Sequence, residues 1–127
     1  MVVLSVDDDS DNLEIFCEAI KEIDPCIRCL QAGSAIEALE ILHHTSSLPD
    51  YVFLDMHMPC MDGTACLRHI KGDHYLGMLT VIMYSSSDNA REIAECTKLG
   101  ASFLKKESNH QRLVKSLKRI LESKIHT

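Results

Sequence analysis

Apolar residues along this chain follow two alternating rhythms. Short apolar-rich runs, at 2–6, 27–31, 52–54, 79–84 and 101–104, are each cut off by polar or charged residues. Elsewhere apolar residues return every three or four positions: Leu13, Phe16, Ile20 and Ile23; Ile36, Leu39 and Leu42; Leu113, Leu117, Ile120 and Leu121. Runs bounded by turn residues read as strands buried on both faces. The wider spacing reads as helices with one apolar stripe.

Boundary residues agree. Ser10, Asp11 and Asn12 are helix-start types, and Pro25 ends the first helix. Ser34-Ala35-Ile36-Glu37 is a capping box. A short helix is predicted over 64–71, closed by Gly72, and another over 89–99, ended by Gly100. Five strands and five helices thus alternate strictly. Alternation of this kind requires right-handed crossovers, hence a doubly wound parallel sheet with helices on both faces. With no internal repeat, low-complexity segment or linker, the expectation is one domain over 1–127.

Composition narrows the function more than the fold. The 127 residues are 46% hydrophobic and 25% charged, with a net charge of −6. An acidic balance argues against a nucleic-acid surface. The apolar runs fall far short of the ~20 residues of a membrane span, and no secretory signal opens the chain. A cytoplasmic location is the expectation, with the six cysteines reduced. Cys26 and Cys29 have a C-x-x-C spacing, but residues three apart on a strand point to opposite faces. His57 with Cys60, or Cys66 with His69, lacks the second pair a zinc site needs. The basic face Arg112, Lys115, Lys118 and Arg119 of the last helix reads as solvated surface.

The chemistry gathers at the strand ends. In a parallel sheet these all point one way, and open α/β folds hold ligands at that edge. Asp7 and Asp8 end the first strand, Asp55 the third, Ser85 the fourth, and Lys105 or Lys106 the fifth. Carboxylates converging at ~4 Å repel by several kcal/mol in a low dielectric, so a cation belongs among them. Hard oxygen donors without added His or Cys select Mg²⁺. A phosphate-binding loop of the flavodoxin kind would need Gly, Ser or Thr where three aspartates stand. A dehalogenase-type phosphatase would need a second Asp where His57 stands.

Four segments carry a family likeness: Val6-Asp7-Asp8-Asp9, the stretch from Leu54-Asp55-Met56-His57-Met58-Pro59 through Asp62-Gly63, Val81-Ile82-Met83-Tyr84-Ser85-Ser86, and Gly100-Ala101-Ser102-Phe103-Leu104-Lys105-Lys106. In this order they make the chain resemble the receiver domains of two-component response regulators, the chemotaxis regulators among them. The resemblance covers essentially the whole chain. It implies a (βα)5 flavodoxin-like receiver fold and a phosphoprotein of phosphorelay signalling, not an enzyme in the ordinary sense. Asp55 is implied as the phosphoacceptor, taking a phosphoryl group from a histidine kinase or phosphotransfer protein as an aspartyl phosphate. Asp7 and Asp8, with Asp55 and the backbone carbonyl of His57, are the implied Mg²⁺ ligands. Ser85 is the implied hydroxyl that turns toward the phosphoryl oxygen, Phe103 the aromatic switch, and Lys106 the partner cation. Asp9 is left as a surface residue or helix-start acid. A downstream protein partner is implied, but not its identity.

Departures from the family pattern are local. Glu107 stands where a proline usually follows the lysine, and the segment from Gly100 to Phe103 is one residue short. His57 replaces the usual Met or Asn two residues past the acceptor, beside the expected phosphoryl site, where it would alter water access. A degenerate receiver acting only as a binding module is the alternative that the altered lysine turn favours. A small-molecule phosphohydrolase is disfavoured, since a second catalytic acid is lacking.

Overall fold

The computed structural model describes the backbone of residues 1–86 and 88–125 and the side chains through Glu122, apart from Ser87. Ser87, part of the polar run after the fourth strand, lies outside the described residues. Strands β1 (Val2–Val6), β2 (Arg28–Ala32), β3 (Tyr51–Leu54), β4 (Val81–Ser85) and β5 (Ser102–Lys105) form one sheet in the order β2-β1-β3-β4-β5. All the pairings are parallel. Helices α1 (Ser10–Ile23), α2 (Ala35–His44), α3 (Gly63–Gly72), α4 (Ala90–Lys98) and α5 (His110–Ile125) follow the strands in turn. The doubly wound expectation holds.

Strand parity builds a separate core on each face of the sheet. Leu4, Val6, Val52, Leu54, Val81 and Met83 face one way, packed with Ala38 and Leu42 of α2 and Cys66, Leu67 and Ile70 of α3. Val3, Phe53, Ile82 and Tyr84 face the other way, against Phe16, Ala19 and Ile20 of α1 and Leu113, Leu117 and Leu121 of α5. Two covered faces leave no strand position for alternating polar residues, so β3 reads as one apolar run. Phe16 anchors the second core, its ring centroid 4.9 Å from that of Phe53 and 5.7 Å from that of Tyr84.

Helix starts are fixed by side-chain oxygens. Asp9 caps α1 by accepting from the N–H groups of Asp11 and Asn12, so it is the helix-start acid. Ser34 accepts from Glu37 N–H, while the Glu37 carboxylate reaches back to Gly33 N–H. Asp62 caps α3 and Asn89 caps α4. Each such cap contributes about 1 kcal/mol. Gly100, at φ +92°, closes α4 in a conformation that L side chains resist.

Strands β2 to β5 each differ from the sequence reading by one or two residues at one or both ends, and two of the starts have a visible cause. β2 starts at Arg28 because Ile27 N–H is taken by the Asp24 carbonyl in the preceding turn. β4 starts at Val81 because a 3₁₀ turn, Leu76–Met78, precedes it. That turn is held by the Asp73 carboxylate, which accepts from Tyr75 and Leu76, and by Lys71, which donates to the Gly77 and Leu79 carbonyls.

The expectation of reduced thiols fails at one pair. Cys17 of α1 and Cys29 of β2 form a disulfide, with their Cα atoms 5.9 Å apart. Cys29 points to the α1 face of the edge strand, where Cys17 lies opposite it. Cys26 sits before the strand begins and is exposed, so the C-x-x-C pair is not the one that joins. Packing of β2 back against α1 decided the pairing, which the C-x-x-C spacing does not encode.

Candidate functional site

The chain reverses its direction of winding between β1 and β3, so a crevice opens at the carboxyl ends of these two strands. Asp7 and Asp55 stand there. Their backbones extend the ladder: Asp7 N–H donates to the Ala32 carbonyl and Asp55 N–H to the Val6 carbonyl, at 3.1 and 3.0 Å. Both side chains are buried and Asp8 is exposed, and one carboxylate oxygen from each of the three lies within 4.8 Å of the others. They form the one group of three or more potential metal ligands among the described residues.

Lys106 supplies the opposing charge. Its Nζ lies 2.9 Å from Asp7 Oδ2 and 3.6 Å from Asp55 Oδ1. Its backbone N–H donates to the Ser85 carbonyl at 2.9 Å, so β5 continues past Lys105 in register with β4. Lys105, one residue earlier, faces the other way and pairs with Asp88 at 2.7 Å. Lys106, the lysine that the aromatic-to-lysine spacing points to, is thus the one that lies against the acid cluster.

One cation does not balance the cluster. Burial pushes the Asp55 carboxyl above its ordinary value. Lys106 opposes that rise, the Asp7 charge adds to it, His57 N–H opposes it, and Asp8 adds to it again. Three carboxylates and one ammonium leave room for a second cation, and an all-oxygen donor set fits Mg²⁺ or Mn²⁺.

The remaining predicted residues surround the acid cluster. Ser85, 1% exposed, ends β4 on the face that carries Met83. Half-buried Phe103 pairs with Met83 across the strands and packs on the same core, diagonally from Ser85. His57 N–H donates to Asp55 Oδ1 at 3.5 Å, while its exposed ring lies 3.3 Å from the Glu92 carboxylate of α4. Asp55, Asp7, Asp8, Ser85 and Lys106 thus share one rim, Phe103 lies further back along β5, and His57 is tied to both Asp55 and α4.

The β3–α3 loop beside Asp55 has little freedom. Gly63 N–H donates to the Met56 carbonyl at 2.8 Å, and a Cβ on Gly63 would overlap the Asp55 carbonyl oxygen. Cys60, at φ +70°, is the non-glycine residue in the left-handed region among those described. Two neighbours of the site went unrecognised in the sequence. One is Glu92, which meets His57. The other is Tyr84, whose ring centroid is 5.4 Å from Lys106 Nζ. Strand parity signals Tyr84, since it precedes Ser85 and therefore faces the opposite core.

The chain belongs to the response regulator receiver domain family, whose model matches residues 3–118. It is therefore a receiver domain of two-component signalling, a signalling unit and not a classical enzyme. The sensor histidine kinase CheAY of Helicobacter pylori is 36% identical over 85 residues, 67% of this chain. The sensor kinase CckA of Brucella abortus is 33% identical over 93 residues, 72% of this chain. The chain spans 10% of the length of each of these relatives. The phosphorylated cyanobacterial phytochrome response regulator RcpA superposes with a TM-score of 0.86 at 25% identity, covering 95% of this chain and 91% of RcpA. No helix among the described residues is long and apolar enough to cross a membrane.

Proposed function

We propose that residues 1–127 act as one phosphoacceptor domain, with Asp55 as the acceptor and phosphorylation as the switch. The observation that carries this reading is Asp55 held against Lys106 and within 4.8 Å of the Asp7 and Asp8 carboxylates. A buried acid with one amine and two further acids around it suits phosphoryl transfer, where positioning and charge neutralisation supply most of the catalysis.

Asp7, Asp8, Asp55 and the backbone carbonyl of His57 would hold a divalent cation, Mg²⁺ in the cell. Bound there, it neutralises charge on the transferring group's oxygens. The Asp55 carboxylate oxygen attacks phosphorus, the bond to the donor's imidazole nitrogen breaks, and an acyl phosphate forms. The donor is a histidine kinase or phosphotransfer protein, a reading supported by the two sensor-kinase relatives. RcpA, in its phosphorylated form, supports the modification itself. Lys106 then exchanges Asp7 for a phosphoryl oxygen, and the Ser85 hydroxyl donates to another. Phe103, on the same face as Ser85, follows it inward and shifts the surface of α4, β5 and α5 toward the form a downstream protein binds. In this reading the domain works in the cytoplasm without binding nucleic acid or membrane. The Cys17–Cys29 disulfide is the feature that bears against that compartment.

The test is intact-protein mass after incubation with acetyl phosphate and Mg²⁺, beside Asp55→Asn. The expected result is a gain of one phosphoryl mass that requires Mg²⁺ and is absent in the variant. No gain, together with no binding of beryllofluoride, would overturn the acceptor reading and leave a binding module.

A further inference from the structure

Tyr84 has a place in the core, yet its ring also forms the floor beneath the lysine of the site. The ring is 9% exposed, packed on Phe16 at 5.7 Å, and lies 5.4 Å from Lys106 Nζ. Glu107 follows Lys106, so no proline ring stiffens the turn that delivers the lysine. Besides the ion pairs of its tip with Asp7 and Asp55, two contacts define the side chain's path: the strand-like hydrogen bond from its backbone to Ser85, and the Tyr84 ring.

We propose that Tyr84 is a positioning residue for Lys106, its ring face holding the ammonium between Asp7 and Asp55. The proposal rests on the reading of Asp55 as phosphoacceptor and deepens it. A cation within about 6 Å of an aromatic face is attracted by the ring quadrupole, more strongly where water is excluded. A lysine stem carries several rotatable bonds, and a rigid ring beneath it removes many unproductive rotamers. A neutral ring also leaves the ammonium's charge undiminished for the phosphoryl oxygens, which a third carboxylate would not. Burial, reinforced by the Asp7, Glu107 and Asp55 charges, raises the Tyr84 phenol to about 12, so the ring stays neutral wherever the domain works.

The contact has a direct signature. Protons held over a ring face are shielded, so the Lys106 ε-methylene of the full chain should resonate upfield of the other lysines, assigned by its loss in Lys106→Gln. Tyr84→Phe keeps the face, whereas Tyr84→Leu and Tyr84→Met fill the core without one. Initial phosphorylation by acetyl phosphate with Mg²⁺ should stay within about twofold in Tyr84→Phe and fall about tenfold in the Leu and Met variants. Thermal melts identify which variants are folded, and the upfield shift should survive only in Tyr84→Phe. An unshifted Lys106 methylene in the wild type overturns the proposal without any variant having to fold. So does a folded Leu or Met variant that phosphorylates at the wild-type rate. A wild type that takes up no phosphoryl group at all overturns the acceptor reading, and this role with it, even if the methylene is shifted.

Discussion

Cys60 occupies the left-handed backbone region at φ +70° on an exposed side chain, a conformation that costs an L residue about 1 kcal/mol and a glycine little. Cys60→Gly should therefore raise the unfolding free energy by up to about 1 kcal/mol, read as a higher urea midpoint at constant slope. Asp55 gives a second prediction. Its carboxyl titrates above its ordinary value of 3.8, so the native state binds that proton more tightly than the unfolded chain does. The stability it lends is present at low pH and lost as pH rises through the native titration. Asp55→Asn should thus be more stable than wild type at neutral pH, with the gap closing on acidification. Unfolding curves across pH would show it. At this scale Asp7, Asp8, Asp55 and Ser85 were legible because each stops an apolar run. Tyr84 and Glu92 were not, because their roles arise from which face of a strand or helix meets a neighbouring loop.

The elements were legible where both ends carried chemical punctuation. α1, with Asp9 before it and Pro25 after it, matches the sequence reading closely. Less was visible where a neighbour sets the boundary, as in β2 and β4, whose starts are taken over by backbone turns. The disulfide between α1 and β2 was missed for a similar reason. It joins residues 12 apart in sequence and should contribute about 3 kcal/mol by limiting the unfolded chain. Reduction should lower unfolding stability by that order, and Cys17→Ser should lose the dependence on reductant. Thiol titration in denaturant should count four groups before reduction, those of Cys26, Cys60, Cys66 and Cys96. In the native state Cys66 should react slowest, since burial raises its thiol to about 11. Gly63→Ala tests the β3–α3 connection. With the Asp55 carbonyl in the way, it should destabilise by about 2–3 kcal/mol and impair phosphorylation, because the loop carries His57.

At the scale of the whole molecule, the parallel sheet was readable from the strict alternation of elements, and the site followed from where a doubly wound sheet gathers its strand ends. The crossing order β2-β1-β3-β4-β5 brings residues from 7 to 106 into one rim. His57 extends that rim to α4 through Glu92, 3.3 Å away. His57→Met should change the rate at which an aspartyl phosphate is lost, read by the decay of phosphorylated mass after the donor is removed. An unchanged rate would mean that the imidazole has no influence on water reaching the site.

Tyr84 and Ser85 are consecutive residues that belong to opposite cores, so a single peptide unit straddles the sheet. If the backbone turns to bring Ser85 toward the acceptor, the same turn tilts the Tyr84 ring, which packs under α1 and α5. The molecule has no tryptophan and three tyrosines, so its intrinsic emission comes from Tyr51, Tyr75 and Tyr84. An optical signal from the α1–α5 side would then track, in real time, a chemical event taking place at the rim of the sheet.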